Sequence, residues 1–143
     1  MNRQKVIIPF VFLLIVSAVN AQNVIVKITN IRNNKGKIVA AVFENAKAFK
    51  KEMPVFDKKL SKSNVKSGVM CFKLKLKPGT YGITILDDEN NDGKMEYSFI
   101  GLPKEGYGFS NFYHTGLSRP KFKDFAFIIG KKDVFIQVKM KYF

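Results

Sequence analysis

Hydrophobic and polar residues alternate along much of the chain at a period of two, which is typical of β-strands with one buried face. The alternation is clearest at 69–76, where Met70, Phe72 and Leu74 share one face and lysines share the other. Comparable runs predict strands at 23–31, 38–43, 81–87, 125–129 and 134–142. Roughly seven short strands result from this pattern.

Turn-forming residues separate these strands. The stretch from Asn33 to Gly36 tolerates positive φ and predicts a hairpin between the first two strands. Pro78-Gly79 predicts a second hairpin or a corner between sheets, with the Tyr81 ring turned inward and its hydroxyl bonded to backbone across the turn. Residues 44–53 are rich in alanine and lysine and predict one or two helical turns.

Short strands without long helices predict an all-β fold, an antiparallel two-sheet sandwich of about seven strands. Residues 97–121 are the exception, because they are rich in glycine, proline, asparagine and aromatic residues. A long irregular segment inside a compact domain usually has a function. We therefore expect 97–121 to be either a lid that completes the core or a binding loop.

The N-terminus has the three parts of a cleavable signal peptide. Arg3 and Lys5 precede an apolar run that ends at Val19, and Ala21 provides a small residue before the cleavage point. The run is shorter than the roughly 20 residues that cross a bilayer as a helix. The sequence therefore predicts a signal peptide at 1–21, a single domain at 22–143, and a periplasmic or extracellular protein without a stable membrane span after cleavage.

The chain is strongly basic, with a formal net charge of +14 that falls to +12 once Arg3 and Lys5 are removed. This charge suits anionic partners such as acidic polysaccharide. The lysines are nevertheless spread over many strand-like segments, as on solvated strand faces and protected edges, so we do not expect a nucleic-acid partner. Cys71 is the only cysteine; it forms no disulfide within the chain, and we expect it to be a small packing residue.

Five of the 11 acidic residues lie within 87–96. Residues 88–93 match the first half of the calcium-loop pattern D-x-[DN]-x-[DN]-G, in which alternating oxygens surround a hard cation and glycine allows the bend. Phe99 stands where that pattern has its bidentate glutamate, so another group must complete the shell. The predicted calcium ligands are Asp88, Asn90, Asp92, Glu96 and the Lys94 carbonyl. The alternative is a polar hairpin tip without metal.

Six of the 19 aromatic residues lie within 97–113. If exposed, such rings suit stacking on sugars or docking of a partner. The predicted ligand surface consists of Tyr107, Phe109, Asn111 and His114. His114 is the only histidine, and the chain contains no nucleophile elbow, zinc motif or phosphate-binding glycine loop, so catalytic residues are not predicted.

Four segments together resemble the bacterial DUF2141 family of exported proteins. They are IRNNKG at 31–36, LKPGTY at 76–81, DDENNDGK at 87–94 and GLPKEGYGFSN at 101–111. The resemblance covers nearly all of the chain after residue 21, and it implies a transthyretin-like or Ig-like sandwich outside the cytoplasm. It implies no reaction, since the family has no assigned activity.

The function expected from these observations is an exported, non-catalytic binding or interaction domain, with residues 87–116 as the working surface. Its partner would be a cell-envelope carbohydrate, an anionic polymer or another exported protein. One alternative is a calcium-stabilised accessory module that binds carbohydrate or an anionic polymer. Another is a hydrolase that uses the acidic cluster, which would require two carboxyl groups facing a common cleft.

Cleavage after Ala21 is directly measurable. Protein recovered from the periplasm or the culture medium is expected to begin at Gln22, because the signal peptidase reads the small residues before that bond. Intact-mass spectrometry identifies the N-terminal residue. Recovery of the protein only in the membrane fraction, with residues 1–21 still attached, would contradict the signal-peptide prediction.

Overall fold

The computed structural model describes residues 21–143, so residues 1–20 of the predicted signal peptide lie outside the described part of the chain. The described elements in chain order are β1 (Gln22–Thr29), β2 (Lys37–Phe43), α1 (Ala46–Lys50), β3 (Phe56–Ser61), a 3₁₀ turn (Lys62–Asn64), β4 (Met70–Leu76), β5 (Gly79–Asp88), β6 (Gly106–Phe109), α2 (Phe122–Phe125), β7 (Ala126–Ile129) and β8 (Val134–Lys139). None of the described helices is long and apolar enough to cross a membrane.

The strands form two sheets. The first has the order β4-β1-β8, and the second has the order β3-β2-β5-β6. β5 is long enough to pair along one edge with two strands, β7 at 79–82 and β6 at 84–87. This arrangement confirms the predicted all-β, two-sheet sandwich. One pair differs from the expected antiparallel pattern, because β8 enters from the opposite sheet and runs parallel to β1.

Alternate residues of both sheets meet in a single apolar core. Val24, Val26 and Ile28 of β1 are completely buried, and they face Ile83 and Ile85 of β5 across the sandwich. Full burial of an aliphatic side chain is worth about 1.5–3 kcal/mol. The period of two in the sequence therefore reflects the main source of stability.

A second apolar cluster covers the outer face of the five-stranded sheet. Its buried members are Phe43, Phe49, Phe109 and Phe125. The Phe49 and Phe125 rings meet edge to face with centroids 4.9 Å apart. Gly82 allows α2 to approach β5, because a Cβ at that position would lie 2.5 Å from the Phe125 ring. The one or two helical turns predicted within 44–53 are present as α1, Ala46–Lys50, which packs on this face through Phe49.

Several local predictions were wrong. The segment 33–36 does not close a hairpin, since β1 and β2 belong to different sheets. β3 was missed because it is an edge strand whose residues are all exposed except Leu60, which removes the alternation. Cys71 is exposed instead of packed, because it shares the outward face of β4 with the lysines.

The corner between β4 and β5 does cross from one sheet to the other, as one of the two alternatives at Pro78-Gly79 required. The Tyr81 ring is buried in the core, in agreement with the prediction. Its hydroxyl, however, makes no hydrogen bond with any residue in 21–143, and it lies against Gly79 instead. The expected bond across the turn is therefore not present in the described chain.

Candidate functional site

β5 ends in two adjacent acidic residues, Asp87 and Asp88, which are both completely buried. Successive side chains of a strand point to opposite faces, so the two carboxylates lie in different surroundings. Asp87 faces the space between the sheets, opposite Ile38 of β2 in the register. Asp88 faces outward, beside Lys37. Each buried charge needs its own partners, and the two sets of partners differ.

Asp87 is fully paired. Lys62 Nζ lies 2.5 Å from Asp87 Oδ1, and the Tyr142 hydroxyl donates to Asp87 Oδ2 at 2.6 Å. Lys62 is itself 1% exposed and donates a second bond to Asn33 Oδ1. Burial, together with the hydrogen bond to Asp87, raises the pKa of Tyr142 far above its ordinary value. Asp87 is thus a charge neutralised entirely by protein groups.

Arg32 extends this network to the surface. Its guanidinium binds both oxygens of Glu89, at 2.7 and 2.9 Å, and lies 4.6 Å from the centre of the Tyr142 ring. The hydrogen bond from Arg32 holds the pKa of Glu89 below its usual value. These contacts attach the connection between β1 and β2 to the end of β5.

Asp88 is only partly paired. Its Oδ2 accepts a hydrogen bond from the Gly93 N–H at 3.0 Å and lies 3.3 Å from Lys37 Nζ. Its Oδ1 is buried and has no partner among the described residues. Gly36, with φ +69°, packs so closely on this strand end that a Cβ there would lie 2.0 Å from the Asp88 carbonyl oxygen.

Glu105 is the second incompletely paired acid. It is 5% exposed, and its Oε1 accepts a hydrogen bond from the Glu89 N–H at 3.0 Å. Its Oε2 has no partner within residues 21–143. Burial raises the pKa of Glu105; the backbone N–H groups of Asn90 and Glu89 oppose this effect, and the charges of Asp88 and Asp92 add to it. Asp88, Asp92 and Glu105 form a group of three acids. One carboxylate oxygen of each lies within 4.8 Å of an oxygen of the other two.

The structure brings together only part of the predicted calcium set. Asn90 and Asp92 form the expected tight loop, in which Asn90 Oδ1 accepts from the Asp92 N–H. Lys94 donates its N–H to Asp92 Oδ1. The Glu96 carboxylate lies apart, 3.9 Å from Lys104 Nζ and 45% exposed. Glu105 takes the place beside Asp88 that the sequence pattern had given to Glu96.

An apolar groove of about 430 Å³ lies on the outer face of the five-stranded sheet. Its floor is formed by β2, β5 and β6, and its walls are the segments 95–103 and 114–120. The aromatic and imidazole rings that line it are Phe43, Phe49, Tyr97, Tyr107, Phe109 and His114. Tyr97 is 60% exposed. A volume of this size falls within the range of small-molecule sites.

Three of the four residues predicted for the ligand surface therefore lie together in the groove. The exception is Asn111, whose side-chain oxygen accepts from the Gln137 N–H and whose own N–H donates to the Gln137 carbonyl. It fastens the chain to β8. Segment 97–121 is also less irregular than expected, because it contains β6. Within this segment, Phe109 is buried in the outer apolar cluster, whereas Phe99 is fully exposed.

Polar groups are interspersed with the rings of the groove. The hydroxyl-bearing residues Thr84 and Ser118 belong to the lining. Arg119 lies 4.1 Å above the Phe49 ring and pairs with Glu52 at 2.9 Å, so its charge is balanced. Neither Asp88, Asp92 nor Glu105 lines the groove. The structure thus separates an acidic cluster at the end of β5 from a mostly uncharged groove.

A family model described as an uncharacterized protein conserved in bacteria, DUF2141, matches residues 26–137. The match runs from β1 to β8 and includes both the acidic cluster and the groove. No curated protein and no solved structure gives a significant match to the chain. The resemblance carried by the four sequence segments is confirmed by the family model.

The pairing of Asp87 predicts the effect of removing its cation. Lys62→Met leaves a buried carboxylate without its ion pair and is expected to lower the free energy of unfolding by about 3–5 kcal/mol. Urea denaturation measures the change. Lys59→Met, at an exposed position of β3, is the matched control and is expected to have little effect. Adding Asp87→Asn to Lys62→Met should restore part of the lost free energy of unfolding. If Lys62→Met and Lys59→Met destabilise the protein equally, the buried ion pair is unimportant.

Proposed function

The chain belongs to the DUF2141 family of bacterial proteins, and from that membership and the groove we propose that it is an exported, non-catalytic binding domain that holds a neutral saccharide in the groove. The observation that carries the proposal is a group of partly exposed rings, Tyr97, Tyr107 and His114, which line a concave surface of suitable volume together with buried phenylalanine rings. Aromatic rings bury large apolar faces at small entropic cost, which suits them to stacking on sugar rings.

The polar groups of the groove favour a saccharide over a purely apolar ligand. Three lining residues, Thr84, Ser118 and Tyr107, carry hydroxyl groups, and they share the groove with apolar rings. A hydrocarbon ligand would remove such groups from water without offering them hydrogen bonds, which is costly. A saccharide presents hydroxyl groups around an apolar ring face and can satisfy both kinds of surface.

The separation of the acidic cluster from the groove supports binding over hydrolysis. A glycosidase needs two carboxyl groups that flank the bond to be cleaved. Glu105 has the raised pKa that a general acid requires, but it is buried, immediately precedes β6 and does not line the groove. His114 packs against the rings of Tyr107 and Phe109, with centroids 6.3 and 6.0 Å away, which suits a wall of a binding site.

A second candidate partner is an anionic polymer bound on the outer face of the three-stranded sheet. Lys27, Lys73, Lys75 and Lys139 are exposed there, and they share this face with the Phe135 ring, which is 73% exposed. This surface lies on the other side of the sandwich from the groove. Binding there would weaken steeply with salt as counterions are released, whereas a neutral saccharide in the groove would be insensitive to salt.

The groove proposal predicts an affinity that depends on Tyr97. Isothermal titration calorimetry with neutral cello-, malto- and chito-oligosaccharides is expected to show binding by the purified protein. Tyr97→Ala is expected to weaken it by about tenfold, because loss of a stacking ring removes roughly 0.5–1.5 kcal/mol beyond its area term. Phe135→Ala, which removes an exposed ring on the opposite face, should leave the affinity unchanged.

Three results would contradict this function. The first is the absence of binding to every neutral oligosaccharide tested. The second is binding that falls steeply with salt and is lost in the Lys73→Ala/Lys75→Ala variant, which would favour the anionic-polymer partner instead. The third is cleavage of a bound oligosaccharide, detected by chromatography after incubation, which would make the protein a hydrolase.

A further inference from the structure

We infer that Asp88, Asp92 and Glu105 form a calcium site that fastens the two ends of the segment 89–104, which we call the arm. Asp88 immediately precedes the arm, Asp92 lies near its beginning, and Glu105 immediately follows it. The three carboxylates come from two separate parts of the chain. The arm also forms a wall of the groove, through Met95, Tyr97, Gly101 and Pro103.

The two buried oxygens without partners are the first support for the site. Asp88 is 0% exposed and Glu105 is 5% exposed, and each has one carboxylate oxygen that accepts no hydrogen bond from the described residues. The great majority of buried polar atoms in proteins are hydrogen-bonded or bound to a ligand, because an unpaired buried oxygen is costly. Asp88 and Glu105 both belong to the group of three acids, so two of its members each keep one buried carboxylate oxygen without a partner in the described chain.

Charge is the second support. Three carboxylates converge here, while Lys37 is the one cation within salt-bridge distance of any of them in the described chain. The nearby Arg32 and Lys104 are directed at other acids, Glu89 and Glu96. By contrast, the adjacent Asp87 has both an ammonium group and a hydroxyl group as partners. The outward face of the strand end therefore keeps an excess of negative charge that the inward face does not have.

The chemistry of the oxygens selects the cation. All three donors are carboxylates, which are hard ligands that suit calcium or magnesium, and no thiolate or imidazole belongs to the group. Calcium binds oxygens at 2.3–2.6 Å, so two oxygens on one calcium ion can be up to about 5 Å apart. The oxygens of the three acids lie within 4.8 Å of one another and so satisfy this limit. Magnesium demands near-ideal octahedral geometry and usually keeps several waters, whereas calcium accepts several carboxylates in flexible geometry, so three converging carboxylates favour calcium.

The position of the site explains what the cation would do. Within the arm, the Lys104 N–H donates to the Glu96 carbonyl and the Ser98 N–H to the Leu102 carbonyl, so the outer part holds itself together. The base of the arm instead carries the three like-charged acids. A calcium ion there would bind all three carboxylates and offset their mutual repulsion. It would thereby hold the groove wall in place. This last consequence rests on the proposed function, whereas calcium binding itself does not.

The test is calorimetric titration of chelator-treated protein with calcium chloride, without any saccharide, together with thermal unfolding. A dissociation constant of about 10⁻⁴–10⁻³ M is expected, as in extracellular calcium modules. A tenfold excess of calcium over that constant should raise the melting temperature by about 3–6 °C. Equal concentrations of magnesium chloride, and sodium chloride at equal ionic strength, are expected to give much smaller shifts.

Two variants identify the ligands. Glu105→Gln keeps the side-chain shape but removes the charge, and it should weaken calcium binding at least tenfold. Asp92→Asn should also weaken calcium binding, and because Asp92 is exposed this substitution does not endanger folding. Glu96→Gln is the matched control, since it removes an acid of the same arm outside the group, and it should stay within twofold of the wild type.

The proposal is overturned if wild-type protein shows neither heat nor a rise in melting temperature with millimolar calcium. It is overturned equally if Glu96→Gln loses as much affinity as Glu105→Gln, or if magnesium acts as strongly as calcium. Failure of saccharide binding would leave these measurements unchanged, so the two proposals are tested separately.

Discussion

The buried contact of Lys62, Asp87 and Tyr142 holds together the end of the sandwich on which both sites depend. Lys62 lies between β3 and β4, Asp87 near the end of β5, and Tyr142 after β8, so the contact joins connections that belong to both sheets. A buried ion pair adds little net stability compared with apolar residues, but it is very costly to break. Its main effect is to fix where the chain segments meet. Gly106 contributes, since a Cβ there would lie 2.2 Å from the Tyr142 ring.

Once Asp87 is fixed inward, the period of the strand directs Asp88 outward. The same register places Glu105 in the site, because β6 pairs with β5 as far as Asp87, opposite Gly106, and this pairing brings the preceding Glu105 beside Asp88. The inward acid is neutralised by the protein and the outward acid is not. Calcium is the proposed partner of the outward acid, and the arm that it would fix is the wall of the groove.

The sequence was sufficient to predict a strand where the local pattern of apolar residues coincides with burial. Alternation predicted β1, β4 and β5 because each has one face in the core. It failed at β3, where nearly every residue is exposed, and at β6, where Gly106 and Gly108 take the inward positions and leave no apolar alternation. The glycines are required there because Tyr142 packs directly on Gly106 and Val138 of β8 packs directly on Gly108. The alternation of glycine with Tyr107 and Phe109 was the signal available for that strand.

In the candidate sites as well, residues that belong to a local sequence pattern were identified, and residues brought in by tertiary pairing were missed. Asp88 and Asp92 were identified because a loop pattern is local, and Tyr107 and His114 because aromatic residues cluster in the sequence. Glu105 was missed, since its proximity to Asp88 arises from the pairing of β5 with β6 and no spacing within one loop reveals it. Lys62 was missed for a similar reason: nothing in the sequence distinguishes a buried lysine from the many exposed ones.

The most direct measurement is anomalous diffraction from crystals of the protein grown with calcium chloride. We predict one anomalous peak at the end of β5, with Asp88 Oδ1 and Glu105 Oε2 at 2.3–2.6 Å from it and Asp92 or water completing the shell. Asp87 should remain bound to Lys62 and Tyr142 in the same crystals. Two results would contradict the claim that protein groups pair with Asp87 and calcium pairs with Asp88. One is a strand end without a peak, in which the Asp88 and Glu105 oxygens contact each other directly. The other is a peak bound by Glu96 instead.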